Sequence, residues 1–395
     1  MRLKTVVKFG TIVSVLLFCI AVGYYAFMKL DMANRNRDVN LFTLIPDDCT
    51  VVLQSDDISA CLDELSNLNY ERELEHFQFQ GLLHFIIGGL NEYASENAHG
   101  LSGQMNRLLV SFHAPYTQLD QVVYFQTGAE GESLFVDMLQ EYTTSDFLPK
   151  EEEYRGETIH IYPLNHEEYL SVYTDLGALV ISYQKSLIEK VIDARLDETS
   201  LADNDVFSQL LQKRKAHFLT LYAHEPIMPL LDGENPNWSE YDFHFNSDVF
   251  YLTGDIYLTN EEKDEELLKI RECPFEKAEG VLVSADADST QFYMEEAYVA
   301  RLSNNQTLFD ECMANLSNEA SFSLVADMQA YEGHESVLNP YLPSFIQKNA
   351  PLFSPFILSL QYSLVDNRLS HIWTFTYKHY RKRCWLKCRV TFRRK

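Results

Sequence analysis

Few residues in this chain have the donors and spacing for chemistry. Asp286 and Asp288 stand one residue apart in Asp286-Ala287-Asp288-Ser289-Thr290, directly after the apolar run Val281-Leu282-Val283-Ser284. Two carboxylates at a strand end can supply oxygen ligands to Mg²⁺ or a nucleophile, and an Asp after a strand equally caps the helix that follows. Asp56 and Asp57 repeat the arrangement after Thr50-Val51-Val52-Leu53-Gln54, which favours capping. No later carboxylate pair at a strand end completes a metal site.

The other reactive side chains form no constellation. His166-Glu167-Glu168 lacks the second histidine of a zinc helix, His76 and His84 are eight apart, and His244 alternates with Phe243 and Phe245 on a strand, so each reads as a surface or satisfied core residue. No serine has a Gly-x-Ser-x-Gly context, and Gly88-Gly89 is too short for a phosphate loop. Cys49 and Cys61 could form a disulfide, as could Cys273 and Cys312, against the competing reading of buried free thiols. The runs Glu151-Glu152-Glu153 and Glu261-Glu262-Lys263-Asp264-Glu265-Glu266 lack the alternating spacing of a calcium loop and read as solvated loops or helix faces. These readings leave catalytic, cofactor and metal residues unassigned.

The elements that would position such residues are short apolar runs separated by polar turns and helical patterns. Strands are predicted at 50–54, 107–114, 121–126, 157–162, 169–173 and 178–183, with helices after Asp57, at about 70–93 and at 132–142. From Leu179 an order of strand, helix, helix, strand and hairpin runs to Tyr257. A similar order begins again at Val281 and ends with paired strands at 356–364 and 371–377. The expected fold class is α+β: an N-terminal transmembrane helix followed by two related domains of antiparallel sheet covered on one face by helices. The first domain is expected at 44–260, a charged linker at 261–275 and the second domain at 276–377.

The chain has 395 residues, 46% of them hydrophobic and 13% aromatic, enough for two or three domains with real cores. With a net charge of −26, the acidic body is a poor partner for nucleic acid. Phe9 to Met28 carries no charge over 20 residues, which at ~1.5 Å per residue just spans a hydrocarbon core of ~30 Å. This segment is expected to contact the lipid bilayer, after a cytoplasmic N-terminus at 1–8 and before a linker at 29–43. A signal peptide cleaved near Ala21-Val22-Gly23 is the competing reading. Basic residues lie equally on both sides of the span, and both readings export the body, to the periplasm or the cell exterior, from an inner (cytoplasmic) membrane.

The C-terminus differs in composition. Residues 378–395 hold nine Lys or Arg and no acid, whereas all 58 Asp and Glu precede them. One reading is a basic tail for anionic lipid, nucleic acid or the protein's own acidic body; the other is that 378–395 is not native sequence.

The anchor, Ile45-Pro46-Asp47-Asp48-Cys49-Thr50-Val51-Val52-Leu53, Tyr154-Arg155-Gly156-Glu157-Thr158-Ile159 and Ser200-Leu201-Ala202-Asp203-Asn204-Asp205-Val206-Phe207 together resemble a bacterial family of membrane-anchored exported proteins known only as a domain of unknown function. That resemblance implies location and fold and brings no catalytic residue. Separately, Asp286-x-Asp288-x-Thr290 resembles the nucleophile motif of haloacid-dehalogenase-type phosphohydrolases, which implies an alternative: a Mg²⁺-dependent phosphohydrolase using Asp286 and Asp288. The expected function is a non-enzymatic binding or scaffolding module for another protein or an envelope polymer. A carrier of lipid or another hydrophobic ligand is a further alternative.

Overall fold

The computed structural model describes residues 39–58, 105–127, 149–213, 217–224, 238–257 and 276–378, apart from short gaps, with scattered positions at 22, 24, 60–68, 82, 89 and 133–139. The chain forms two compact units: residues 1–59 with 79–216, and residues 60–78 with 217–395.

In the first unit the strands are β1 (Val51–Ser55), β2 (Arg107–Phe112), β3 (Gln121–Gln126), β4 (Lys150–Tyr154), β5 (Glu157–Pro163), β6 (Tyr169–Asp175) and β7 (Ala178–Ser182). They lie side by side in the order β1-β2-β3-β7-β6-β5-β4, every pair antiparallel. The uninterrupted apolar runs Val122-Val123-Tyr124-Phe125 and Leu179-Val180-Ile181 form the middle of the sheet and are buried on both faces, more than the one-sided cover expected. Helix α1 (Lys185–Leu196) packs Leu187, Ile188, Val191 and Ile192 against β3, β6 and β7. Helix α2 (Asp205–Lys213) follows a capping box between Ser200 and Asp203.

Glu151-Glu152-Glu153, expected as loop or helix face, lies in edge strand β4. Charged side chains suit an edge that must not recruit another strand, and Glu152 is held by Lys150 and Lys185. The β4–β5 hairpin turns on Arg155 and Gly156, both at positive φ (50° and 87°), as a tight two-residue turn requires. Arg155 then reaches Asp193 on α1 and Asp197 at its C-terminal cap, each at 2.7 Å.

In the second unit the strands are β8 (Thr220–Ala223), β9 (Ser239–Phe245), β10 (Val249–Tyr257), β11 (Glu276–Ala278), β12 (Val281–Ser284), β13 (Phe322–Asp327), β14 (Phe356–Val365) and β15 (Arg368–Tyr377). Their order is β11-β12-β13-β14-β15-β10-β9-β8, again antiparallel throughout. The inner face is an aromatic core of Phe250, Phe322, Phe356, Tyr362, Trp373 and Phe375, closed by short helical segments at Met328–Gly333, Glu335–Leu338 and Ala350–Phe353. On the outer face, helices α3 (Ala287–Leu302) and α4 (Leu308–Ala314) cover Leu282, Val325 and Ile357 on β12, β13 and β14. This unit therefore carries helical cover on both faces.

Helix α4 starts at a capping box in which the Asp310 N–H donates to Thr307 Oγ1 and the Thr307 N–H donates to Asp310 Oδ2. Thr307→Ala is expected to lower the stability of this unit by about 1 kcal/mol, read from its urea midpoint, with Thr307→Ser close to wild type.

The expected first domain at 44–260 differs from the compact units, whose division follows Ala216. The reason is long-range pairing: β10 is hydrogen-bonded to β15 from Val249↔Thr376 to Tyr257↔Arg368, which ties β9 and β10 to the C-terminal strands. Leu68 also buries in the second core. The expected linker at 261–275 lies outside the described residues, as do Cys273, His76, His84, His166 and the expected helix at 70–93 apart from Leu82 and Gly89, both helical.

Cys49, Cys61 and Cys312 are buried and in no disulfide, which agrees with the reading as buried thiols and not with the alternative Cys49–Cys61 bridge. The anchor Phe9 to Met28 lies outside the described residues except Val22 and Tyr24, which are helical and exposed. No described helix is long and apolar enough to cross a membrane. Lys378, expected to begin the tail, ion-pairs with Asp327 at 2.6 Å and donates its backbone N–H to Pro355; residues 379–395 lie outside the described residues.

Candidate functional site

Strand alternation divides β9, β10 and β15 into an apolar inner set and a polar outer set. Tyr241, Phe243, Phe250, Leu252, Trp373 and Phe375 point to one side, which leaves Asp242, His244, Tyr251, Thr253, Ile372 and Thr374 on the other. Helices α3 and α4 cover the outer positions of β12 to β14 and reach β15 at Thr376, while the outer positions of β9 and β10 and the rest of β15 stay partly exposed. Ile372, in the middle of this face, is 46% exposed.

The outer side chains line up in rows across the strands. One row reads His244, Tyr251, Thr374, Ser359; the next reads Thr220, Asp242, Thr253, Ile372, Gln361. The rings of His244 and Tyr251 stack at 4.6 Å and 10°, and His217 packs its ring edgewise on His244, also at 4.6 Å. His244 Nε2 lies 3.0 Å from Thr253 Oγ1, and Thr220 Oγ1 donates to Asp242 Oδ1 at 2.6 Å. Ser370 likewise donates to Asp255 one row further on.

Among the described residues, no ring is placed against the second face of Tyr251. Tyr251 has His244 on its β9 side and only the small Thr374 on its β15 side. Beyond Thr374 the face is bounded by α4, whose Cys312 Sγ lies 3.6 Å from Thr376 Oγ1. The result is a shelf with a hydroxyl floor, a tyrosine wall and two carboxylates along its edge. Burial and the neighbouring His217 push His244 below the usual histidine range, against the pull of Asp242, so its ring is neutral at pH 7.

The sequence motifs do not converge on this shelf. Asp288 lies in the first turn of α3, whereas Asp286 lies outside the described residues. Thr290, at the end of that motif, is buried and donates to Ser284 Oγ at 3.0 Å. Among the described residues no three His, Cys, Asp or Glu side chains are grouped to hold a metal ion. Among the described residues, the fold brings His244, read from sequence as a surface or satisfied core residue, to the site. Its outward alternation was legible, but its partners Tyr251 and His217 were not.

A second arrangement, in the first unit, has the order of a hydrolytic relay. His113 Nε2 lies 2.8 Å from Ser111 Oγ, and His113 Nδ1 lies 3.7 Å from Asp48 Oδ1. Ser111 Oγ is also 3.0 Å from the Tyr124 hydroxyl, and Ser111, His113 and Tyr124 are buried, which leaves no room for an acyl group at the serine. Burial holds His113 below its ordinary range and pushes the adjoining Cys49 thiol up to about 12. This is a core polar network around unreactive groups.

No family model and no curated protein matches this chain. Among solved structures, crystal form IV of TP0453 is similar over 58% of this chain and 83% of that chain, at 11% identity and a TM-score of 0.31. Crystal form I of the same protein gives 56%, 80%, 12% and 0.32. Likenesses at this level assign neither fold nor function.

Proposed function

We propose that this protein is an exported, membrane-anchored binding module whose second unit holds a neutral, hydroxyl-rich envelope polymer, a glycan strand, on the outer face of β9, β10 and β15. The anchor at Phe9 to Met28 would hold the body beside the bilayer. The observation that carries the reading is the half-buried Tyr251 ring, backed by His244 on one side and next to the small Thr374 on the other, beside the exposed Ile372. A pyranose ring offers C–H groups to the negative face of an aromatic ring and hydroxyls to neighbouring carboxylates and threonines. Asp242 and Asp255 accept hydrogen bonds and repel anionic polymers, so a neutral strand is favoured.

The experiment is sedimentation of the full chain, in mild detergent, with insoluble cell-wall glycan and with an anionic polymer as control. Wild type is expected to bind the glycan, with Tyr251→Ala weakening it about 10-fold, the size of one lost aromatic contact. Thr374→Trp fills the shelf and is expected to abolish binding. Equal binding by all three proteins, or preference for the anionic polymer, would sink the reading.

A further inference from the structure

The inner face of the second unit contains a cluster that its own packing does not explain. His371 is 1% exposed and neither of its ring nitrogens has a hydrogen-bond partner among the described residues. The Tyr241 hydroxyl, the Tyr362 hydroxyl and the Trp373 indole N–H are buried and make no hydrogen bond of good geometry, although Ser239 stands beside the first and the other two stand beside each other. These four side chains share one region of the sheet. His371 lies opposite Tyr362 on β14 and Gly254 on β10, and Trp373 is the next inward residue of β15. The Tyr241 ring packs on His371 at 4.3 Å and the Tyr362 ring at 6.0 Å. The Tyr362 hydroxyl sits beside the Trp373 indole without reaching hydrogen-bond geometry.

Buried polar atoms are almost always paired, and leaving both His371 nitrogens unpaired beside three imperfectly bonded groups is costly. Apolar residues would have filled the space at no such cost. We propose that Tyr241, His371, Tyr362 and Trp373 line a closed polar chamber that binds a small neutral hydrogen-bonding guest, and that the guest is water.

The chemistry narrows the guest in three ways. It must accept from the indole N–H, which can only donate, and both donate and accept at a neutral imidazole. It must be uncharged, because no counter-charge stands against His371. It must be small, because the flanking rings approach to 4.3 Å. Water meets all three conditions, and buried waters commonly make about three bonds to groups of this kind.

The test combines a high-resolution crystal structure of the full chain with ¹⁷O relaxation dispersion in solution. Water density within ~3 Å of a His371 nitrogen and of at least one of the other three polar atoms is expected. At least one long-lived internal water is expected to vanish from the dispersion of a Tyr241→Phe, Tyr362→Phe, His371→Phe triple variant, whose apolar replacements keep the rings. Should that variant fail to fold, Tyr362→Phe alone is expected to shift the water position in the crystal. Density for a larger molecule would overturn water as the guest. Direct bonds among the four side chains, or an unchanged water count in a folded variant, would overturn the chamber.

Discussion

Gly254→Ala is expected to destabilise the second unit by about 3 kcal/mol or more, at or beyond the upper end of core overpacking. A Cβ at this position would stand 1.7 Å from the backbone oxygen of Glu240 and 2.8 Å from His371 Cε1. The first of these atoms belongs to the neighbouring strand and cannot swing away as a side-chain end could. The β9–β10 ladder ends next to it, at Thr253↔Asp242, so relief requires moving strand β9 and the Tyr241 ring with it. All three tryptophans lie in residues 217–395, so tryptophan fluorescence in urea reports this unit. Gly333→Ala is the control, because a Cβ there meets nothing within 4 Å, and it is expected to stay within ~0.5 kcal/mol of wild type or gain slightly. Equal midpoints for the two variants would show that β9 yields freely at this point.

Acid is expected to weaken the same unit through His371. Burial alone pushes this ring down to about 3 from an ordinary 6.5. It faces Tyr241 on β9, Gly254 on β10 and Tyr362 on β14, none of them charged at neutral pH. The unfolded chain takes up a proton below about pH 6.5 that the folded ring refuses until about pH 3. Stability from this group is therefore complete above pH 6.5 and lost as pH falls, at about 1.4 kcal/mol per unit. Urea midpoints at pH 7.5, 6.5, 5.5 and 4.5 should fall below 6.5 in wild type and lose about that much slope in His371→Phe. A slope shared by both proteins would assign the acid response to other groups. In the first unit burial lowers His113 as well, which gives the same sign there.

Much of the fold was legible because it depends on local alternation. The strands at 121–126 and 281–284 were read at their observed limits, and the two-helix pattern after each of Leu179 and Val281 matches α1, α2, α3 and α4. Strand β4 was missed because three glutamates in a row carry no apolar period; its strand character comes from pairing with β5 across the Arg155-Gly156 turn. The candidate site was half legible. Alternation along Phe243-His244-Phe245 already sends His244 to the face opposite the phenylalanines. Nothing local says that Tyr251 lies across from it, since that register depends on the turn at 246–248 and on the pairing of β10 with β15.

From the sequence alone came the acidic body, the uncharged run at 9–28, the α+β class, the antiparallel pairing of neighbouring strands, and the small number of motifs with any claim to chemistry. Each is a property of composition or of a short period, because charge sums over residues and a strand shows its two faces in any five consecutive side chains. The tertiary structure decided that residues 60–78 belong with 217–395, that Tyr251 lies between His244 and Thr374, and that His371 packs between two tyrosines away from water. The register of Tyr251 against Thr374 and the packing of Tyr241 on His371 rest on contacts between residues more than a hundred positions apart. Only the closing of β10 onto β15 brings them together, and no local pattern in the chain records that step.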